Sequence, residues 1–508
     1  VAREGALLPL VAQLQAESDA TKEWAAAAMQ ALSHQCPENQ LALVKVGAIA
    51  PLVVLLGSES VETQLYAQGA LLNISTPNKD ARTAVVKPLV ALLEVRNAAA
   101  QMKAAESLAM LANRSAENRT VIAQAGAIPA LVTLLGDGRN VSKSQVRAAA
   151  ALSDLARASE NKQAIVSAGG VQPLVTMLTS SSEEAQTRAS GALWHLSSST
   201  SAQGLIAAAD GIELLVRLLT SKRVPAANHA ACALYHLASN NSNKDAIVKA
   251  GGIVPLVSLL GRTQSPEAQD ACAALLADLA RQSGVKGSIV HSGGIKHLVQ
   301  LLEQGSSTAQ KHAACALWGL ASEPNYQNAV ANAGAVPHLV KVMTSNEKAQ
   351  GYATAALCNL AHDAEARRQI TAEGGVEPLI VLSHGPPSWL QSQAVGILAL
   401  LDITAPKPHG GGGHSMAQAL ALKLAPTKSY YQQQEAERLQ MEREERENGQ
   451  LSPGSRRTPR SWRAWDSCHR NPRFHSDAGE MLAEYQHLLT TPRLNRNSSY
   501  KQSPRPSP

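Results

Sequence analysis

The sequence predicts an all-α solenoid of about ten three-helix units. Two observations carry that prediction. A phrase of the form Gly-(Ala/Gly)-Ile-x-Pro-Leu-Val-x-Leu-Leu returns about every 40 residues, and such a period marks stacked helical repeats. The chain is 45% hydrophobic but only 3% aromatic, with one Phe (Phe474) in 508 residues. A core of Ala, Leu, Val and Ile suits close-packed helices better than sandwiched sheets.

The phrase stands as "GAIAPLVVLL" from Gly47, "GAIPALVTLL" from Gly126, "GGVQPLVTML" from Gly169 and "GGIVPLVSLL" from Gly251. It returns from Gly293, Gly334 and Gly374. Its Leu anchors are Leu10, Leu52, Leu89, Leu131, Leu174, Leu215, Leu256, Leu298, Leu339 and Leu379. Each unit reads as three helices. A short one precedes the Gly, as in "NKQAIVSA" (161–168), and the Gly ends it because a positive φ is cheap only without a Cβ. A second follows with Pro in its first turn, where a missing N–H costs nothing. The third is longer, as in "EEAQTRASGALWHLSS" (183–198), with Ala and Leu at helical spacing. Two units depart from the pattern. In the third, "ARTAVVKPLVALL" lacks the Gly turn, which predicts a kink or a fused helix near Val85–Pro88, read as repeat decay or as a hinge. The fourth carries a long loop, "GDGRNVSKS" (136–144).

Over about residues 1–403 the pattern NKxxIVxAGGIxPLVxLL…AAxALxNLA resembles the armadillo repeat family, of the general protein-interaction scaffold type. The resemblance implies a right-handed superhelix whose third helices line a concave groove for extended peptides. In that family Asn near the end of each third helix holds the peptide backbone, donating and accepting at once. The matching column here is Ala31, Asn73, Met110, Asp154, His195, His236, Asp278, Gly319, Asn359 and Ala399. Nuclear-import adaptors of the family also place Trp four residues earlier, and no Trp stands there.

Seven residues before that column lies nearly the same helix face, since seven residues turn about 700°. It reads Trp24, Tyr66, Lys103, Arg147, Arg188, His229, Ala271, His312, Tyr352 and Ser392, cationic in the middle and aromatic toward both ends. This predicts a groove for an extended, acidic or phosphorylated segment. Asp154 and Asp278 share the face and would pair with some of these cations. Trp194, Tyr235 and Trp318, one residue off the groove column, are expected to pack between units.

The net charge of +6 is uneven. Residues 1–404 balance, and the excess falls in the last segment, 451–508, which disfavours nucleic acid as a partner of the folded part. The Cys and His residues show no metal spacing, and no catalytic signature stands in its proper context. "HGGGGH" (409–414) reads as a linker. The sequence therefore predicts no catalysis, no cofactor and no metal. No run of apolar residues is long enough to span a membrane, no signal peptide is recognised, and reduced buried Cys suggests cytoplasmic and also nuclear residence.

The expected organisation is an array at 1–404, a Gly/Pro linker at 405–427, a charged helix at 428–447 and a disordered basic Ser/Pro/Arg-rich tail at 448–508. Within the tail, "DAGEMLAEYQHLL" (477–489) reads as a short helix with a capping-box start. Ser452, Thr458, Thr491, Ser503 and Ser507 each precede Pro and are candidates for proline-directed phosphorylation. The leading expectation is a non-enzymatic scaffold. Its alternatives are the substrate-binding part of a U-box ubiquitin ligase whose catalytic module lies upstream, a nuclear transport adaptor, and a ciliary or cytoskeletal armadillo protein.

Overall fold

A computed structural model describes residues 5–139, 141–385 and 388–403. The described residues form 28 helices and no strand. The expected linker, the charged helix, the tail helix and the five phosphorylation candidates lie outside the described residues. The chain divides into two compact units, Val1–Gln369 and Ile370–Pro508.

The fourth repeat shows the plan: helices Ala116–Gln124, Ala127–Leu135 and Lys143–Leu155. The left-handed residue between the first two is Gly126 (φ 81°), with nothing in reach of a Cβ. The backbone angle alone therefore selects Gly there. The same turn is made by Gly47, Gly169, Gly251, Gly293 and Gly334, and in the sixth repeat by Asp210. The third repeat keeps two helices rather than three. Its first and second are fused into Lys79–Leu93, with Pro88 inside, as the missing Gly turn predicts. Pro88 has no N–H to give the preceding turn, and the helix runs through it.

Ala and Leu fill the core. In the third helix Val224–Leu237, Ala226, Ala227, Ala230, Ala231, Ala233, Leu234 and Leu237 are buried. Such small side chains let neighbouring third helices approach closely. From the first repeat to the ninth each third helix packs on the next. The seam is loosest between Val61–Ile74 and Ala98–Arg114, beside the fused helix.

Tight turns between helices leave terminal carbonyls without backbone partners. Side-chain amides take them. A buried Asn in a first helix donates to the end of the preceding third helix: Asn118 to Leu111 O (2.7 Å), Asn161 to Leu155 O (3.0 Å) and Asn243 to Leu237 O (3.0 Å). Gln203 and Gln327 do the same to Ser197 O (2.9 Å) and Ala321 O (3.1 Å). A Gln in the third helix serves the other turn. Gln64, Gln101, Gln145, Gln186, Gln269, Gln310 and Gln350 each donate to a carbonyl at or just past the end of their own second helix, at 2.6 to 3.1 Å. Ser caps start most of these third helices: Ser60, Ser142, Ser182, Ser265 and Ser306 accept from backbone N–H three residues on. In the second compact unit Val376–Ser383 packs on Trp389–Leu400, and Gln391 donates to Ser383 O at 3.1 Å.

Removing one clamp tests its weight. Asn161→Ala leaves the Leu155 carbonyl without its partner in a buried turn, and should cost about 1–3 kcal/mol in denaturant unfolding. A change within 0.3 kcal/mol (roughly the error of such measurements) would show the clamp to be ornamental.

Candidate protein-binding surface

The third helices bring the predicted groove residues onto adjacent rungs. Trp24 is 74% exposed on the first of them. Tyr66 is half-buried on the next, where Asn73 donates to Gln30 O (3.3 Å) and Ser33 Oγ (3.2 Å) of the preceding third helix. Asn359 is buried and donates to Trp318 O at 3.4 Å. Both Asn side chains thus reach back to the neighbouring rung. Met110, in the groove column, is 43% exposed.

The cations of the middle rungs are paired. Lys103 is buried, and its Nζ lies 3.0 Å from Glu106 Oε2. Arg147 reaches both neighbours: its Nε is 3.4 Å from Glu106 Oε1 and its Nη1 is 2.6 Å from Glu184 Oε1. Arg188 sits 3.9 Å from the same Glu184 oxygen. Glu106, Arg147 and Glu184 therefore link three successive third helices. Pairs this exposed contribute about 0.2–1 kcal/mol each. Their larger effect is to cancel the positive stripe that the sequence predicts.

The His residues form an aromatic shelf. The Trp194 ring stacks on His229 of the next rung at 5.5 Å between centroids, and on its neighbour His195 at 4.5 Å. Nδ1 of His229 lies 3.2 Å from Thr187 O, so that nitrogen carries the proton. Trp318 meets Tyr352 of the next rung at 6.1 Å. These two Trp residues pack between repeats, as expected from their offset. Tyr235 is 36% exposed and tilts on His236 at 5.3 Å. Burial pushes His195 and His312 down to about 4, with neighbouring Arg157 and Lys311 acting the same way. His229 and His236 are lowered by burial too. The shelf is therefore neutral imidazole near pH 7. Asp154 is raised by burial, against the pull of Arg157, Arg188 and Arg119. Asp278 lies 3.2 Å from Arg281.

Two further cations lie off the columns. Arg157 follows the third helix of the fourth repeat, and Lys162 lies in the first helix of the fifth. Neither falls on the groove columns, so periodicity did not select them. Among the described residues no three His, Cys, Asp or Glu side chains converge as a metal set, and no single helix is long and apolar enough to cross a membrane.

The imidazoles give the array a pH signature. His195 and His312 are depressed in the fold below their unfolded value of about 6.5. Above that value both states are neutral and stability is flat. As pH falls from about 6.5 toward 4 the unfolded chain takes up protons first, and stability drops. The melting temperature should fall across that window. The double variant His195→Gln, His312→Gln should flatten the slope, and an unchanged slope would contradict the assignment.

Comparisons with known proteins bear on the repeat architecture. A family profile described as the plant U-box protein ARM repeat region matches residues 84–356, and one described as the armadillo/beta-catenin-like repeat matches 36–76. Curated protein sequences give no match. The crystal structure of an engineered protein from the Northeast Structural Genomics Consortium is 37% identical, covers 78% of this chain and 98% of its own, and superposes with a TM-score of 0.62. A second engineered protein is 39% identical over 47% of this chain and 96% of its own, at a TM-score of 0.42. With more than half of its length matched to one profile and the repeat architecture in place, the chain belongs to the armadillo-repeat family, in the group described as the plant U-box protein ARM repeat region.

Proposed function

We propose that the chain is a non-catalytic scaffold that holds an extended segment of a partner protein along its third helices. One observation carries the reading. The third helices present half-exposed aromatic and imidazole side chains (Tyr66, His195, His229, His236, His312 and Tyr352), with Trp24, Met110 and Tyr235 open to solvent. Exposed aromatic and Met side chains on a rigid support are what protein interfaces enrich. A set of positions that recurs once per repeat suits a chain lying across the third helices rather than a globular knob. The paired cations of the middle rungs argue against a ligand that is acidic throughout. An acidic or phosphorylated side chain instead needs a local cation outside that ladder. The array would act in the cytoplasm and the nucleus.

Photo-crosslinking tests the surface. A photoreactive amino acid at Met110 or Tyr235 should capture the partner, whereas one at the exposed Val54 or Val254 of the second helices should not. Capture from the second-helix positions alone would overturn the groove assignment.

The match to the ARM repeat region of plant U-box proteins favours a second reading. In it this array selects substrates for ubiquitin transfer by a U-box in the same polypeptide. Reading the coding sequence upstream of Val1 decides the matter. An in-frame U-box supports this reading, and an in-frame initiator preceded by a stop codon removes it.

A further inference from the structure

The place one residue before the groove column faces the next third helix. On the first rung Glu23 holds it, and accepts from Ser60 Oγ of the second rung at 3.2 Å. On the fourth rung Val146 holds it and is 6% exposed. On the second rung Leu65 holds it and is 51% exposed. The seam explains the difference. Between Val61–Ile74 and Ala98–Arg114 the third helices meet most loosely, beside the fused helix Lys79–Leu93. Gln68 Nε2 donates to Ser107 Oγ at 3.1 Å, and Arg114 Nη1 to Leu72 O at 3.1 Å, so the later half of the seam is tied. Among the described residues no side-chain hydrogen bond ties the earlier half. There Val61, one turn before Leu65, is 58% exposed.

The open seam borders the exposed Trp24, because the Glu23–Ser60 bond sets the start of Val61–Ile74 against the turn that carries Trp24. Its rim is acidic. Glu59 and Glu62 stand on either side of Val61 in the chain and are exposed, and Glu23 is half-buried. Among the described residues no Lys or Arg lies within salt-bridge distance of any of the three. Lys22 is held by Asp19 at 2.9 Å, and Lys103 by Glu106 at 3.0 Å.

We propose that Leu65, Val61 and Trp24 form an anchor subsite of the groove, which seats an aliphatic side chain of the partner segment flanked by Lys or Arg. This rests on the groove reading above and names the partner's chemistry at the first two rungs. An open apolar patch with a polar rim marks an interaction surface. A partner side chain laid in the seam covers Leu65 as the neighbouring helix covers Val146, and burial of that apolar surface supplies the affinity. The three carboxylates attract a basic flank and repel an acidic one.

The full chain is titrated calorimetrically with three octapeptides: Lys-Arg-Gly-Leu-Leu-Gly-Arg-Lys, Glu-Asp-Gly-Leu-Leu-Gly-Asp-Glu and Lys-Arg-Gly-Gly-Gly-Gly-Arg-Lys. The first should saturate, binding at least about tenfold more tightly than either of the others. Val61→Ser with Leu65→Ser should weaken it by about tenfold or more. Glu59→Gln with Glu62→Gln should weaken it by about threefold or more and lessen its salt dependence. Val254→Ser, at a comparably exposed Val on a second helix, should change nothing. Circular dichroism melts check folding, and the Glu59→Gln, Glu62→Gln variant, at two exposed sites, serves if the apolar variant melts early. Absence of saturation, equal binding of the acidic or the all-Gly peptide, or an equal loss in Val254→Ser would each overturn the anchor. So would dimerisation of the free chain in sedimentation that Leu65→Ser abolishes, since a second copy would then cover the seam. Crosslinking at Met110 and Tyr235 reads the third and sixth rungs, so the groove reading survives if only the anchor fails.

Discussion

Beyond the Gly turn between its first two helices, an armadillo repeat turns the chain twice more within a few residues, and each of those turns strands helix-terminal carbonyls in partly buried surroundings. Satisfying those carbonyls is the constraint on which the rest of the structure depends. Left unpaired, each costs about 1–3 kcal/mol, and an array of nine or ten repeats could not carry that cost repeatedly. The side-chain amides of Asn118, Asn161, Asn243 and their Gln counterparts solve one turn, and the Gln residues of the third helices solve the other. Where they form, these bonds fix how a first helix meets the preceding third helix. They thereby set the spacing at which Ala-rich third helices stack.

Once the third helices stand side by side, their exposed faces become one surface whose chemistry is set residue by residue. Glu106, Arg147 and Glu184 spend their charges on each other across three rungs. Trp194 and His229 spend their rings the same way. What remains unspent is what the proposed partner would meet: open aromatic and Met side chains and neutral imidazoles. Specificity on such a scaffold arises from the exceptions to the repeat, since the repeated positions are occupied by packing.

The architecture was legible because the Gly turns and Leu anchors recur in register. Even the departure in the third repeat was readable: without the Gly turn, Lys79–Leu93 runs as one helix through Pro88. The clamps were visible in the sequence as Ser or Asn four residues before Gln, as in Ser182 to Gln186 and Ser265 to Gln269. The column reading looked for apolar periodicity and passed over them. The site was less legible. Periodicity put Lys103, Arg147 and Arg188 on one face, but whether a cation is free depends on partners about 40 residues away.

The clamp account makes a comparison possible within one molecule. Asn243 donates to Leu237 O at 3.0 Å across the turn between the sixth and seventh repeats. One repeat on, the corresponding residue is the buried Val285, which has no amide to give to the end of Pro266–Leu279. Native-state hydrogen exchange, corrected for intrinsic rates, reads the opening of both turns. The account predicts slower opening of 237–242 than of 279–284. Equal opening of the two turns would contradict the claim that side-chain amides hold the stack together.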